Sequence, residues 1–141
     1  MSSQSTAERE ALVQVDRFPR ANRYPVKWVI QNEMGPNVLW LTEFLSESMN
    51  IQPGMRVLDL GCGKAISSIF LAREFDVQVW ATDLWIPATE NAKQIDNEGL
   101  SDSVFPIHAD ARNLPFANEF FDAIVSIDAF EYFGTDSTYL P

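Results

Sequence analysis

The chain has 141 residues, 46% of them apolar, and a formal net charge of −10, which fits about one globular domain able to bury a moderate core. The single cysteine, Cys62, excludes an internal disulfide, and no uncharged run reaches membrane-spanning length, so a cytoplasmic protein without membrane insertion is expected. Charge is uneven: Arg9, Arg17, Arg20, Arg23 and Lys27 lie in the first 27 positions, whereas from Leu100 onward seven acids face one arginine, Arg112. Such a body repels a phosphate backbone, which argues against a nucleic-acid partner.

Residues 1–25 are polar and weakly patterned and read as a solvated arm closing on Tyr24-Pro25, with the domain proper over 26–141. Asn37 can cap a helix from Val38 to about Met49, with Val38, Leu41, Leu45 and Met49 near one face and Phe44 beside them. The turn Gln52-Pro53-Gly54 leads into a first strand, Met55 to Leu60, followed by a helix from about Ala65 to Glu74 that carries Ile66, Ile69, Phe70 and Leu71. Val77 to Thr82 is a second strand, ending at Asp83. Pro87 suits the first turn of the next helix, which runs to about Asn97 and stops near Gly99. Val104 to Ala109 is a third strand, ending at Asp110. After the loop Asn113-Leu114-Pro115-Phe116, Phe121 to Ile127 is a fourth, ending at Asp128. Strands alternating with helices predict an α/β fold with a parallel sheet covered on both faces.

The run Val57-Leu58-Asp59-Leu60-Gly61-Cys62-Gly63 reads as a buried strand turning sharply into a helix. Glycines there lack a Cβ, so backbone N–H groups can approach a ligand at the helix N-terminus. Asp59, Asp83, Asp110 and Asp128 each close a strand, which predicts four carboxylates along the ligand-binding edge of the sheet. A cation or a hydroxyl-rich ligand would relieve their repulsion; a phosphate would not. Each Asp could instead cap the next helix, but four in a row behind a Gly-x-Gly loop favour a site. Cys62 is read as a small residue that fits the turn. A dinucleotide fingerprint would need a third glycine where Ile66 stands.

The pattern resembles the class I S-adenosylmethionine-dependent methyltransferases, nearest their type 11 small-molecule branch, over about residues 33 to 141. Leu58 to Gly63 matches the first motif and Ala81-Thr82-Asp83-Leu84 the second. His108 to Ala111, with Leu114-Pro115-Phe116, matches the third, and Phe121 to Ser126 the fourth. The resemblance implies a Rossmann-like sheet in the order 3-2-1-4 and S-adenosylmethionine as cofactor. It implies that Gly61 and Gly63 approach the methionine part and that Asp59 lies near its ammonium. Asp83 would accept both ribose hydroxyls, and Leu84 and Trp85 would lie against the adenine. Asp110 would accept from the exocyclic amine while the Ala111 N–H meets a ring nitrogen. Ser126 to Asp128 would close the methionine end, with Met34-Gly35 over the cofactor.

Two departures from the family stand out. Ala65 occupies a position where glycine is frequent, which matters only if that residue needs positive φ. The family also adds three strands after the fourth, so a chain ending at Pro141 is expected to be truncated, with an uncovered fourth-strand edge open to self-association.

The implied reaction is in-line methyl transfer to a small-molecule or lipid-like acceptor. No catalytic residue and no metal ligand is assigned: His108 is expected to pack under the adenine, and Glu131 and Tyr132 to line the entrance. Tyr24, Trp28, Trp40, Trp85, Phe130, Tyr132 and Phe133 are candidates for an apolar acceptor wall. The alternatives are a non-catalytic S-adenosylmethionine-binding module and, more distantly, a dinucleotide-binding domain.

Overall fold

The computed structural model describes residues 5–140, so Met1 to Gln4 of the expected arm, and Pro141, lie outside it. Its elements in chain order are α1 (Thr6–Val13), a 3-10 turn at Ala21–Arg23, α2 (Val26–Asn32) and α3 (Val38–Ser46). Then come β1 (Arg56–Leu60), α4 (Ile66–Phe75), β2 (Gln78–Asp83), α5 (Ala88–Asn97), β3 (Val104–His108), β4 (Ala123–Val125) and a 3-10 turn at Phe130–Tyr132. The four strands form one parallel sheet in the order β3-β2-β1-β4, as expected.

Strand alternation sorts the core into two clusters. Val57 packs with Ile66, Ile69 and Phe70 of α4, Leu39 of α3 and Ile95 of α5. Leu58 and Leu60 point the other way, toward Trp80, Phe116, Phe121 and Phe133. That second face is covered by loops and their aromatic side chains, which differs from the helical cover expected there.

The segment before α2 also differs from expectation. α1 opens with a reciprocal cap between Ser5 and Glu8 and buries nothing, but the chain after it docks on the domain. Ala21 and Tyr24 are buried, and Phe18 stacks on Trp40 with ring centroids 5.7 Å apart. The anchor is Glu43 on α3, which is 5% exposed and accepts the backbone N–H groups of Arg20 (3.1 Å) and Ala21 (2.8 Å).

Of the face expected to turn inward, Val38 and Leu45 of α3 and Met49 just after it pack partly buried against the core, and Glu43 adds a buried polar strip beside them. Leu39, Thr42, Glu43 and Ser46 are the buried residues of α3, while Leu41 of the expected apolar face and Phe44 beside it are exposed. Thr42 and Ser46 donate to the helix's own carbonyls, of Val38 and Glu43, so burying them leaves no hydroxyl unpaired.

β4 is shorter than the run Phe121 to Ile127. Phe121 leaves the ladder for the aromatic cluster around Trp80, at 5.5 Å between centroids. β4 is an edge strand, and its Ile124 is 64% exposed. Among the described residues no helix is long and apolar enough to cross a membrane.

Candidate functional site

β1 delivers the chain into a left-handed turn. Gly61 has φ +79° and Gly63 φ +55°. A Cβ on Gly61 would overlap the Ala129 methyl, and one on Gly63 would meet the Met34 sulfur at 3.0 Å. These glycines let two other segments close on the loop. Ala65 follows with φ 63° and a fully buried methyl, so the position does require the left-handed conformation, which costs a non-glycine residue about 1–2 kcal/mol.

The loop's own N–H groups are not free for a ligand. Those of Gly61 and Cys62 donate to the Thr82 carbonyl, at 2.8 and 3.1 Å. The Gly63 N–H donates to Asp83 Oδ2 at 2.8 Å, and Asn91 Nδ2 donates to the Gly63 carbonyl at 2.9 Å. This overturns the expectation that these donors face a ligand. The loop is a wall clamped to β2 and α5.

In front of that wall lies a cavity of about 310 Å³ at the carboxyl ends of the strands, where open parallel sheets bind ligands. Of the expected site residues, Gly61, Gly63, Asp83, Leu84, Trp85, Asp110, Ala111 and Asp128 line it. Asp59 and Ser126 do not. Asp59 is the penultimate residue of β1, so its side chain stands perpendicular to the sheet under α4, fully buried. Its Oδ2 accepts the hydroxyls of Ser67 (2.6 Å) and Ser68 (2.7 Å). Desolvation pushes the Asp59 carboxyl up to about 6 against those two bonds, helped by the nearby Asp83 charge. Ser126 Oγ donates to the Leu60 carbonyl at 2.9 Å and ties the chain after β4 to the end of β1.

Asp83 is a brace as well as a wall residue. Its Oδ1 accepts the N–H groups of Trp85 (2.8 Å) and Ile86 (2.9 Å), and its Oδ2 that of Gly63. A carboxylate has about four acceptor positions, so Asp83 has about one left, on Oδ2, rather than the two that paired ribose hydroxyls would use. Asp110 has a similar turn role, with Oδ1 accepting from the Arg112 N–H at 2.9 Å. None of these acids caps the helix that follows it, since the N-cap residues of α4 and α5 are Ala65 and Pro87; Asp83 and Asp110 instead organise the turns that shape the cavity.

Asp128 is left-handed at φ 52°, and its Oδ2 would lie 2.7 Å from a Cβ on Gly35. Met34, Gly35 and Pro36 complete that side, so the N-terminal segment does reach the cavity. At the mouth Trp85 and Tyr132 meet edge to face at 5.0 Å, both largely exposed. His108 is exposed, outside the lining, and its Nε2 hydrogen-bonds the Leu84 carbonyl at 2.7 Å. Cys62 lines the cavity, but burial pushes its thiol well above the usual range and disfavours the nucleophilic thiolate.

Several lining residues were not anticipated, among them Asn32, Lys64, Ser67 and Arg112. Lys64 and Ser67 flank the glycine turn, one in the loop and one in the first turn of α4, and adjacency to Gly63 was a usable signal. Asn32 comes from outside the motifs and had none.

Residues 57–139 match the family model for the methyltransferase domain. The chain belongs to that family. It is 36% identical over 90 residues to the methyltransferase GfsG of Streptomyces halstedii, covering 63% of this chain and 32% of that protein. It is 34% identical over 94 residues to the cyclopropane-fatty-acyl-phospholipid synthase of Escherichia coli K12, covering 65% and 22%. Among solved structures, the [4+2]-cyclase SpnF aligns with a TM-score of 0.56 at 29% identity, covering 60% of this chain and 32% of that one. The chain thus spans about a third or less of each relative's length. The fold and motifs are those of the class I S-adenosylmethionine-dependent methyltransferases, with S-adenosylmethionine as the cofactor.

Proposed function

We propose that this chain binds S-adenosylmethionine in the cavity before the Gly61-Cys62-Gly63 loop and directs its methyl group to a small-molecule or lipid-like acceptor. The observation that carries this reading is a wall of three carboxylates, Asp83, Asp110 and Asp128, around a cavity closed on one side by the glycine loop. Such a wall suits a cationic, hydroxyl-bearing ligand. When bound, the cofactor supplies an activated methyl group on a positively charged sulfur.

The chain's residues hold and shield. Asp83 Oδ2 has room for one hydroxyl of the nucleoside, and Asp110 faces the same space from the end of β3. Leu84, Trp85 and Tyr132 give the mouth an apolar lining that excludes water and suits an apolar acceptor. The name of the cyclopropane-fatty-acyl-phospholipid synthase supports a lipid-like acceptor of that kind.

Calorimetric titration with S-adenosylhomocysteine, using NADH as control, tests the cofactor. Micromolar binding of the first alone is expected; binding of NADH alone would overturn the reading. Methyl transfer from labelled cofactor to a panel of apolar acceptors then tests the activity, and binding without transfer would identify a non-catalytic module.

A further inference from the structure

The turn that follows β3 is held from a side that the binding scheme leaves unused. Asp110 Oδ1 accepts the Arg112 N–H at 2.9 Å, which fixes the carboxylate against the peptide joining Ala111 to Arg112. The carbonyl of that same peptide accepts the Tyr139 hydroxyl at 3.2 Å. One peptide plane is therefore gripped at both ends, by the phenol at its oxygen and by Asp110 at its nitrogen. On its outer side the turn borders a second hollow, lined by Ala111, Arg112, Leu114, Asp136, Thr138 and Tyr139, so open space rather than core lies behind it.

Tyr139 is itself well fixed. Its ring packs against Phe133 and Phe130, at 5.3 and 6.2 Å between centroids, and its N–H donates to the Asp136 carbonyl at 3.0 Å. Burial, with the Asp110 charge adding to it, raises the phenol above its usual range, so the hydroxyl stays protonated and donates. Donation to a peptide carbonyl also strengthens the N–H of that peptide as a donor, and here that N–H ends on Asp110.

Asp110 lines the cavity, and its Oδ2 makes no hydrogen bond among the described residues, with Arg112 no nearer than 4.0 Å. An acceptor-only group there matches a ligand N–H. Strand order indicates which one. With the glycine loop after β1 and Asp83 on β2, a nucleoside whose ribose meets Asp83 extends its base toward β3, about 5 Å further along the sheet edge. Adenine has one exocyclic donor, its 6-amino group.

We infer that Tyr139 is a positioning residue for base recognition: through the Ala111–Arg112 peptide it holds Asp110 in the orientation that accepts the 6-amino group of the cofactor's adenine. Tyr139 lies outside the cavity lining and does not touch the ligand. This rests on the methyltransferase reading, which supplies the adenine.

The test compares two ligands by calorimetry on the purified chain: S-adenosylhomocysteine, and S-inosylhomocysteine, in which oxygen replaces the 6-amino group. The wild-type chain should prefer the first by about ten- to hundredfold, the range expected for a hydrogen bond to a charged group. Tyr139→Phe keeps the ring and its packing and removes only the hydroxyl. It should narrow that preference about three- to tenfold by weakening S-adenosylhomocysteine alone. Asp110→Ala should remove the preference, and adding Tyr139→Phe to it should change nothing further. An unchanged preference in Tyr139→Phe, equal weakening of both ligands, or a further change in the double variant overturns the inference and leaves the cofactor assignment standing. A wild-type chain that binds both ligands without preferring the amine does the same. A wild-type chain that binds neither overturns the cofactor assignment, and the inference with it.

Discussion

Asp83 and Gly63 join the ends of two parallel strands through one hydrogen bond, from the Gly63 N–H to Asp83 Oδ2 at 2.8 Å. The same carboxylate holds the turn into α5 through Trp85 and Ile86. Asp83 therefore shapes the cavity before it touches any ligand. Asp83→Ala should abolish binding of S-adenosylhomocysteine and also lower stability by about 1–2 kcal/mol, the cost of losing hydrogen bonds from three partly buried N–H groups to a charged acceptor. Urea denaturation beside calorimetry checks both halves. Loss of binding at unchanged stability would show that the brace is dispensable.

Gly61 and Gly54 separate two reasons for needing glycine. Both have positive φ, +79° and +82°, but a Cβ on Gly54 meets nothing within 4 Å, whereas one on Gly61 collides with Ala129. Gly54→Ala should cost about 1 kcal/mol from backbone conformation alone. Gly61→Ala should cost about 2–4 kcal/mol, because overpacking adds to the same strain. Equal losses in denaturant midpoints would mean that the chain after β4 yields freely.

The buried Asp59 gives stability a defined pH dependence. Its carboxyl is raised from 3.8 to about 6, so the folded chain retains a proton that the unfolded chain releases. The stability from this group is fully present below about pH 4, is lost as pH rises through about 6, and then stays level. Two pH units correspond to about 3 kcal/mol as an upper figure. The wild-type stability minus that of Asp59→Asn, followed from pH 4 to pH 7, should fall by about 1–3 kcal/mol. A flat difference would uncouple Asp59 from folding.

Ile124 lies on the open edge strand and is 64% exposed. Edge strands with apolar side chains invite pairing, and a lysine there opposes it. Ile124→Lys should reduce concentration-dependent association in light scattering while shifting the melting temperature little. Association that persists undiminished would place the contact elsewhere.

The strands and the helices between them were legible because short apolar runs alternate with helical spacing and end at Asp83, Asp110 and Asp128. What escaped the sequence depends on distant partners. Glu43 reads as a polar residue on a solvated helix face until the backbone of Arg20 and Ala21, more than twenty residues earlier, supplies its donors. That pairing adds a buried polar strip beside the apolar face expected of α3 and brings Ala21 and Tyr24 of the expected arm into the core. Asp59 shows the same limit at shorter range. The motif places it at the end of a strand, but one residue of register separates an acid that faces a ligand from one that lies beneath a helix.

The clamped glycine loop has a further consequence for what the cavity admits. A pyrophosphate is held by several N–H groups converging on its oxygens. In this chain the N–H groups of three successive residues, Gly61, Cys62 and Gly63, already close onto Thr82 and Asp83. A dinucleotide would find carboxylates where it requires donors. The turn therefore discriminates between cofactor classes by withholding hydrogen bonds, with the discrimination built into the way β1 and β2 are joined.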